Sequence, residues 1–339
     1  MVKKAKRFLL PLGVLVILAI LPVFFRNDNY IMNILILCMI WGVVAASWDL
    51  IVGYANMFAF GHLAFFVVGG YTSGLLAKFL GVSPWLGMPI GGIAAMLIGI
   101  LIGLPCLRLR GMYLAMVTFS VQSILPVFII WAGPFRFESW HSGGAYGLQA
   151  IPPIVLFGRA LERGEWIPWY FLTLAWFVIA LSAIYIIIRS PIGLAFVALR
   201  DSEPLAKTVG VDEYKYKLLV FAISSFIAGV TGAYYAHYFN AISPANLSLE
   251  TFLIALVMVL LGGLGVFPGA AIGAFVVTIM NELLRPSLDW RLVILGALVV
   301  LTMLFMPKGL MGIPEAVRGL YRRLFRPKPM RLAHTEETK

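Results

Sequence analysis

Between Ile31 and Val52 the chain carries a single charged side chain, Asp49, and apolar stretches of similar length recur almost to its end. The hydrocarbon core of a bilayer is about 30 Å thick, which a helix of roughly 20 apolar residues spans at about 1.5 Å per residue. By that measure the sequence predicts spans near 8–25, 31–52, 57–80, 86–104, 111–133, 167–189, 218–240, 251–265, 267–285 and 292–306, ten in all. Composition agrees, because 61% hydrophobic and 12% charged residues leave too few charges to cover a soluble globule of 339 residues. Lipid offers no hydrogen bonds, so the backbone must satisfy itself within each segment. The expected class is all-α, a polytopic transmembrane bundle of about ten helices. At "LLGGLGVFPGAA" (260–271) the glycines and Pro268 permit either a turn between two short helices or one helix broken inside the protein.

Charge sets an orientation. The formal net charge is +11, but the basic residues lie between and beyond the apolar runs and not in an aromatic-interleaved patch, which excludes nucleic acid as the partner. With the amino terminus inside and ten crossings, four regions fall on the inner side: "MVKKAKR", "LRLRG", 189–217 and the tail from Met306. Together they hold 19 of the 26 Lys and Arg residues, as the positive-inside rule requires. The expected division is a transmembrane domain over 1–306, with an inner loop at 190–217 and an outer segment at 134–166, followed by a basic tail over 307–339 attracted to anionic headgroups. The first apolar run is read as a retained helix, since "PVFFRNDNY" offers no small-x-small cleavage site. Cys38 and Cys106 sit in or beside apolar segments with no disulfide or metal-ligand spacing and read as small core residues.

The stretch "ALRDSEPLAKTVGV" (198–211) interrupts this pattern. Residues 200–217 hold eight charged side chains, each costing about 2.5–3.5 kcal/mol at the centre of a bilayer helix, so the segment belongs outside the lipid. Ser202 is placed to cap a helix with Glu203 and Pro204 in its first turn. Leu205, Ala206, Val209 and Gly210 recur at helical spacing and predict one narrow face of small and apolar groups, suited to a groove on another protein. A solvated loop with an incidental amphipathic turn fits the same periodicity.

The run "SPIGLAFVALRDSEPLAKTVGVDEYKYKLLVFAISSFIAG" (190–229) resembles the cytoplasmic coupling loop of LivM-type permease subunits in branched-chain amino-acid ABC importers. The matching positions are Ser190, Gly193, Ala198, Arg200, Asp201, Glu203, Ala206 and Gly210, while Leu205 stands where that family usually has an alanine. "GYANMFAFGHLAFFVVGGYTSGLL" (53–76), "GGAYGLQAIP" (143–152) and "LVMVLLGGLGVFPGAAIGA" (256–274) are similar to further family segments in the same order. Ala55 and Asn56 depart from the family's common Gly-Gln pair. The resemblance implies an ABC importer permease fold in the bacterial inner membrane with both termini cytoplasmic. It implies as partners a homologous LivH-like second permease, two cytoplasmic ATPases that bind ATP and Mg, and a periplasmic solute-binding protein. This chain itself then needs no cofactor and is not an enzyme. The usual cargo is leucine, isoleucine or valine, with urea and amides carried by related permeases. Gly193, Arg200, Asp201, Glu203, Ala206 and Gly210 become the expected ATPase-coupling residues, the small ones allowing close approach and the charged ones fixing orientation through charge-assisted bonds.

The energy source has its own signal. Secondary transporters commonly place ionisable groups near the bilayer midplane. Here Asp49, Glu250 and Glu282 fall near predicted helix ends, and no G-x-x-x-x-G-K-[ST] loop occurs. A stand-alone secondary transporter or channel remains the alternative reading, and a membrane enzyme a third. His62, His141 and His237 lie in no metal-ligand or nucleophile motif. Candidate translocation-path residues are Asn56, Gly61, His62, Gly69, Gly262 and Gly263, with tight helix packing as the ordinary use of such glycines. Shifted by 209 positions, "FAFGHLAFFVV" (58–68) aligns with "FPGAAIGAFVV" (267–277), a faint sign of duplicated helix pairs.

Overall fold

A computed structural model describes residues 18–22, 24, 25, 28–106, 109, 111–132, 143–156, 158–162, 164–285, 288–305 and 309–312. The predicted span 8–25 is therefore described only over its last part, where 18–22 is helical, and His141 and the tail beyond Gly312 lie outside the described residues. The principal elements are α1 (Asn29–Asp49) with a π-helical turn (Leu50–Tyr54), α2 (His62–Leu80), α3 (Pro84–Cys106), α4 (Met112–Ala132), α5 (Trp166–Arg189), α6 (Pro191–Asp201), α7 (Glu203–Thr208), α8 (Glu213–Phe239), α9 (Leu249–Gly262), α10 (Gly269–Leu283) and α11 (Leu288–Phe305). The chain is a multi-pass, helical membrane protein. Among the described residues six helices are long and apolar enough to cross a bilayer: α1 with its π turn, α2, α3, α4, α5 and α8.

The expected count of ten spans is not reached by these six, and two of the four missing have a geometric cause at 249–283. The two spans predicted there are helices of 14 and 15 residues, about 21–22 Å each at 1.5 Å per residue, short of a 30 Å core. They form a hairpin, which answers the question left open at Pro268: the chain turns at 263–268 between two short helices. The hairpin lies against α1 over most of its length. At one end the Tyr30 hydroxyl donates to Glu282 at 3.1 Å, and at the other the Gly265 N–H donates to Asp49 at 2.9 Å.

Small residues set the centre of the bundle. Glycines, lacking a Cβ, let α2, α3 and α8 approach to backbone contact: a Cβ at Gly69 would overlap the Gly229 carbonyl, and one at Gly91 would lie 2.6 Å from the Gly69 carbonyl. Around this crossing Phe66, Ala95, Phe221, Ala228 and Ala233 are fully or almost fully buried. Cys38 and Cys106 are free and buried, as expected of core residues. By contrast α4 shows much of one side, including Met116, Ile124, Val127, Phe128 and Trp131, as a lipid-facing or partner-facing helix does.

Opposite the end that carries α6 and α7, the loops make a small cap. Strand β1 (Leu148–Gln149) pairs antiparallel with β4 (Ala241–Ile242), and β2 (Val155–Leu156) with β3 (Arg159–Ala160). His237 holds this cap to the bundle, its Nε2 2.8 Å from Ser73 Oγ and its Nδ1 2.7 Å from the Pro152 carbonyl. Both segments of the 209-position echo lead from a non-helical link, 55–61 or 263–268, into a helix.

Candidate functional site

The polar stretch emerges as two short helices folded under the bundle. Ser190 ends α5 and caps α6, its Oγ accepting from the Gly193 N–H at 3.4 Å with Pro191 at the helix start. Gly193 itself backs onto the Ile187 and Ile188 carbonyls of α5, where a side chain would collide. A break at Ser202 separates α6 from α7. Ser202 occupies the predicted N-cap position with Glu203 and Pro204 following, but its side chain makes no capping hydrogen bond. Asp212 then caps α8 by accepting from the Lys215 N–H at 3.2 Å.

The expected single face of Leu205, Ala206, Val209 and Gly210 does not form. Successive helix positions are about 100° apart, so Leu205 and Ala206 diverge. Ala206 is buried against the protein, whereas Leu205 and Val209 are 67% and 77% exposed. Gly210 lies past the end of α7 with φ +85°, and a Cβ built on it meets nothing within 4 Å. Its requirement within this chain is therefore conformational: residues with a side chain rarely adopt that backbone. What α7 and its C-cap present outward is the pair Leu205 and Val209; Leu194 of α6 is also exposed.

The charged residues divide similarly. Glu203 faces inward, into a four-member network: Glu203 with Lys207 at 3.8 Å and Lys217 at 3.3 Å, Glu213 with Lys207 at 2.5 Å and also with Lys217. Glu213 and Lys217 are 5% and 12% exposed, so the α8 half of this network is shielded from solvent while Lys207 stays half exposed, and the network fastens α7 to the first turn of α8. Sequence reasoning missed Lys207, Glu213 and Lys217, although the i, i+4 spacing of Glu213 and Lys217 is a visible signal. Asp201 points outward and pairs with Arg200 at 3.0 Å. Arg200 reaches in the other direction as well, its Nη1 3.5 Å from the Gly53 carbonyl in the π turn.

That π turn contacts the 263–268 turn. Asp49 accepts from the Gly265 N–H at 2.9 Å and the Tyr54 hydroxyl from the Phe267 N–H at 2.9 Å. Asp49 was legible as the one charge in its apolar run, but Tyr54 carried no signal.

The path candidates scatter. Asn56 is exposed on the 55–61 link with φ +53°. Gly61 and His62 open α2 beside a small cavity of about 10 Å³, room for one water, lined also by Ala59, Phe65, Thr118 and Phe221. His62 is buried, stacks on Trp48 at 5.6 Å and has its Nε2 2.9 Å from Ser47 Oγ. Gly69 sits at the crossing with α8, outside the lining of this cavity and turned into packing. Gly262 and Gly263 lie on the hairpin, Gly262 against the Gly269 carbonyl. The structure brings Gly61 and His62 together and leaves Asn56, Gly69, Gly262 and Gly263 apart from them.

Comparison with known proteins adds a lineage to this geometry. The family described as branched-chain amino acid transport system / permease component matches residues 30–303. This chain belongs to that permease family. Among its relatives in the family is the high-affinity branched-chain amino acid transport system permease protein LivM of Escherichia coli (strain K12), 30% identical over 300 residues, covering 82% of this chain and 69% of that protein. The LivM protein of Salmonella typhimurium (strain LT2) is 30% identical over 329 residues, covering 91% and 75%. The branched-chain amino acid permease protein LivH of Escherichia coli (strain K12) is 25% identical over 296 residues, covering 81% and 92%. No solved structure matches. This permease thus resembles, over most of its length, both LivM and LivH permease proteins.

Proposed function

We propose that this permease is one membrane subunit of an ATP-driven ABC importer for branched-chain amino acids, worked from the cytoplasmic side through α6 and α7. The observation that carries this reading is the outward pair Leu205 and Val209 on a helix that the Glu203–Lys217 network fixes rigidly to α8. An apolar surface on a rigid polar lever transmits displacement, because a contact that differs between two states is what couples them. The engine sits in two partner ATPases that bind ATP and Mg, and the second permease is a LivH-like homologue. A solute-binding protein docks on the opposite face, formed by the β1–β4 cap. The complex sits in the cytoplasmic membrane of a bacterium with both termini inside. Leucine, isoleucine and valine are the cargo, in keeping with the names of the LivM and LivH relatives.

Affinity purification of the chain from membranes in which the candidate ATPases and second permease are co-expressed tests this. The wild type brings down both ATPases. Leu205→Glu and Val209→Glu, which place a charge on the outward face without touching the ionic network, release them while leaving the second permease bound. Retention of the ATPases by both variants removes α7 as their seat.

A further inference from the structure

A lever beneath the bundle acts on transport only if something carries its displacement into the membrane. Three groups of atoms converge on one turn of helix to form such a connection. The π turn is closed by the wide Ala55 N–H to Leu50 carbonyl bond at 3.2 Å, a geometry frequent at functional sites. Its Gly53 carbonyl faces Arg200 of α6. On the other side of the same turn, Asp49 and Tyr54 hold the two N–H groups of Gly265 and Phe267, in the link between α9 and α10.

Contact across this junction is close enough to transmit a push. A Cβ built on Gly53 would fall on Asp49 Oδ1 and on the Gly265 nitrogen, and would lie 2.8 Å from Gly265 Cα. One built on Gly265 would lie 2.7 Å from the Gly53 carbonyl oxygen and 2.9 Å from Arg200 Nη1. Gly53 and Gly265 are therefore pressed backbone to backbone, with the guanidinium against both. The Asp49 carboxylate is buried and is directed at a backbone donor 216 residues away. Burying a carboxylate is costly unless its charge is compensated, so its retention there is accounted for by the bond to Gly265 and the nearby Arg200. The Arg200 contact, at 3.5 Å, is at the long end of hydrogen bonding. Beside the junction a cavity of about 10 Å³, lined by Ala46, Asp49, Tyr54, Ile184, Phe267 and Pro268, leaves the link room to shift on that side.

We propose that Asp49, Gly53 and Tyr54 form the transmission joint of the permease, passing displacement of α6 through Arg200 to the 263–268 turn and so to the α9–α10 hairpin. Asp49 is a positioning residue: its oxygen holds the turn and touches no cargo. This rests on the coupling reading above, and it adds which part of the membrane domain the lever moves. Because α10 runs along α1 from Asp49 to Tyr30, the moving part is the hairpin against α1, while the glycine-packed α2, α3 and α8 stay fixed.

The test reconstitutes the full complex in proteoliposomes and measures ATP hydrolysis and leucine uptake together. Asp49→Leu removes the acceptor, Asp49→Asn keeps a carbonyl oxygen for Gly265, and Gly53→Ala wedges the joint apart. Asp49→Leu and Gly53→Ala are expected to assemble with the ATPases and hydrolyse ATP within about twofold of wild type, while leucine moved per ATP falls about tenfold, inside the roughly 5–150-fold range of allosteric coupling. Asp49→Asn is expected to recover most of that ratio. The proposal is overturned if Asp49→Leu keeps the wild-type ratio, if hydrolysis and uptake fall in proportion to lost assembly, or if Asn performs no better than Leu. Failure of the coupling reading itself has a different signature, a wild-type complex with no ATP-dependent uptake.

Discussion

Gly210 separates two physical accounts of the same glycine. If its small size matters because a partner backbone approaches it, side-chain volume determines the damage. If its backbone matters, the damage follows the cost of φ +85°, since within this chain nothing lies within 4 Å of a Cβ there. For an L-residue the left-handed region costs about 1–2 kcal/mol, and asparagine visits it more readily than alanine. A penalty of that size changes the population of the α7–α8 turn by a factor of about 5–30. The turn fixes where Asp212 caps α8 and hence how the Glu203 and Lys207 ends of the network meet Glu213 and Lys217. Gly210→Ala is therefore expected to cut ATP-driven leucine uptake by about that factor, with Gly210→Asn closer to wild type despite its greater bulk. Uptake assays on reconstituted complexes of equal ATPase content give the order directly. An order of Gly, Ala, Asn by falling activity would refute the conformational account and restore a close-approach role for this position.

Lys217→Met leaves two carboxylates sharing Lys207; the expected loss is about 1–3 kcal/mol, below the 3–5 typical of fully buried pairs because Lys207 is half exposed, read as lower thermal stability of the purified protein in detergent. Gly69→Ala drives a methyl into the Gly229 carbonyl and is expected to separate α2 from α8, costing about 1–3 kcal/mol as overpacking does and reducing the yield of monodisperse protein in size-exclusion chromatography. His237→Leu leaves Ser73 Oγ and the Pro152 carbonyl without this partner, at about 1–3 kcal/mol. Limited proteolysis in the 143–166 segment is the matching assay, with faster cleavage expected in the variant.

The long helices were legible because apolar run length is a direct measure of bilayer thickness. The predicted spans 31–52, 57–80, 86–104, 111–133, 167–189 and 218–240 each fall on a helix within a few residues of its ends. The α9–α10 hairpin was legible only as an ambiguity, since glycine and proline announce a break but not its direction. In the polar stretch the boundaries were readable from Ser190, Pro191, Ser202 and Pro204, while the facing of each side chain was not. Glu203 turns inward because Lys217 waits beyond a turn that Gly210 and Asp212 shape, and no periodicity within 203–210 encodes that. Contacts between Asp49 and Gly265 join residues 216 apart, and single-chain patterning carries no information at that range. The glycines illustrate the opposite problem: composition marks Gly69 and Gly61 alike, yet one is locked in a helix crossing and the other borders a cavity.

As proposed, the permease draws its work from an external ATPase. Leucine uptake into proteoliposomes holding the whole complex, compared with proteoliposomes holding this chain and its second permease alone, tests that dependence most directly. Uptake that needs internal-face ATP and both ATPases, and that survives a protonophore and the removal of sodium, is the predicted result. Uptake by the two permeases alone, driven by a proton or sodium gradient, would contradict it.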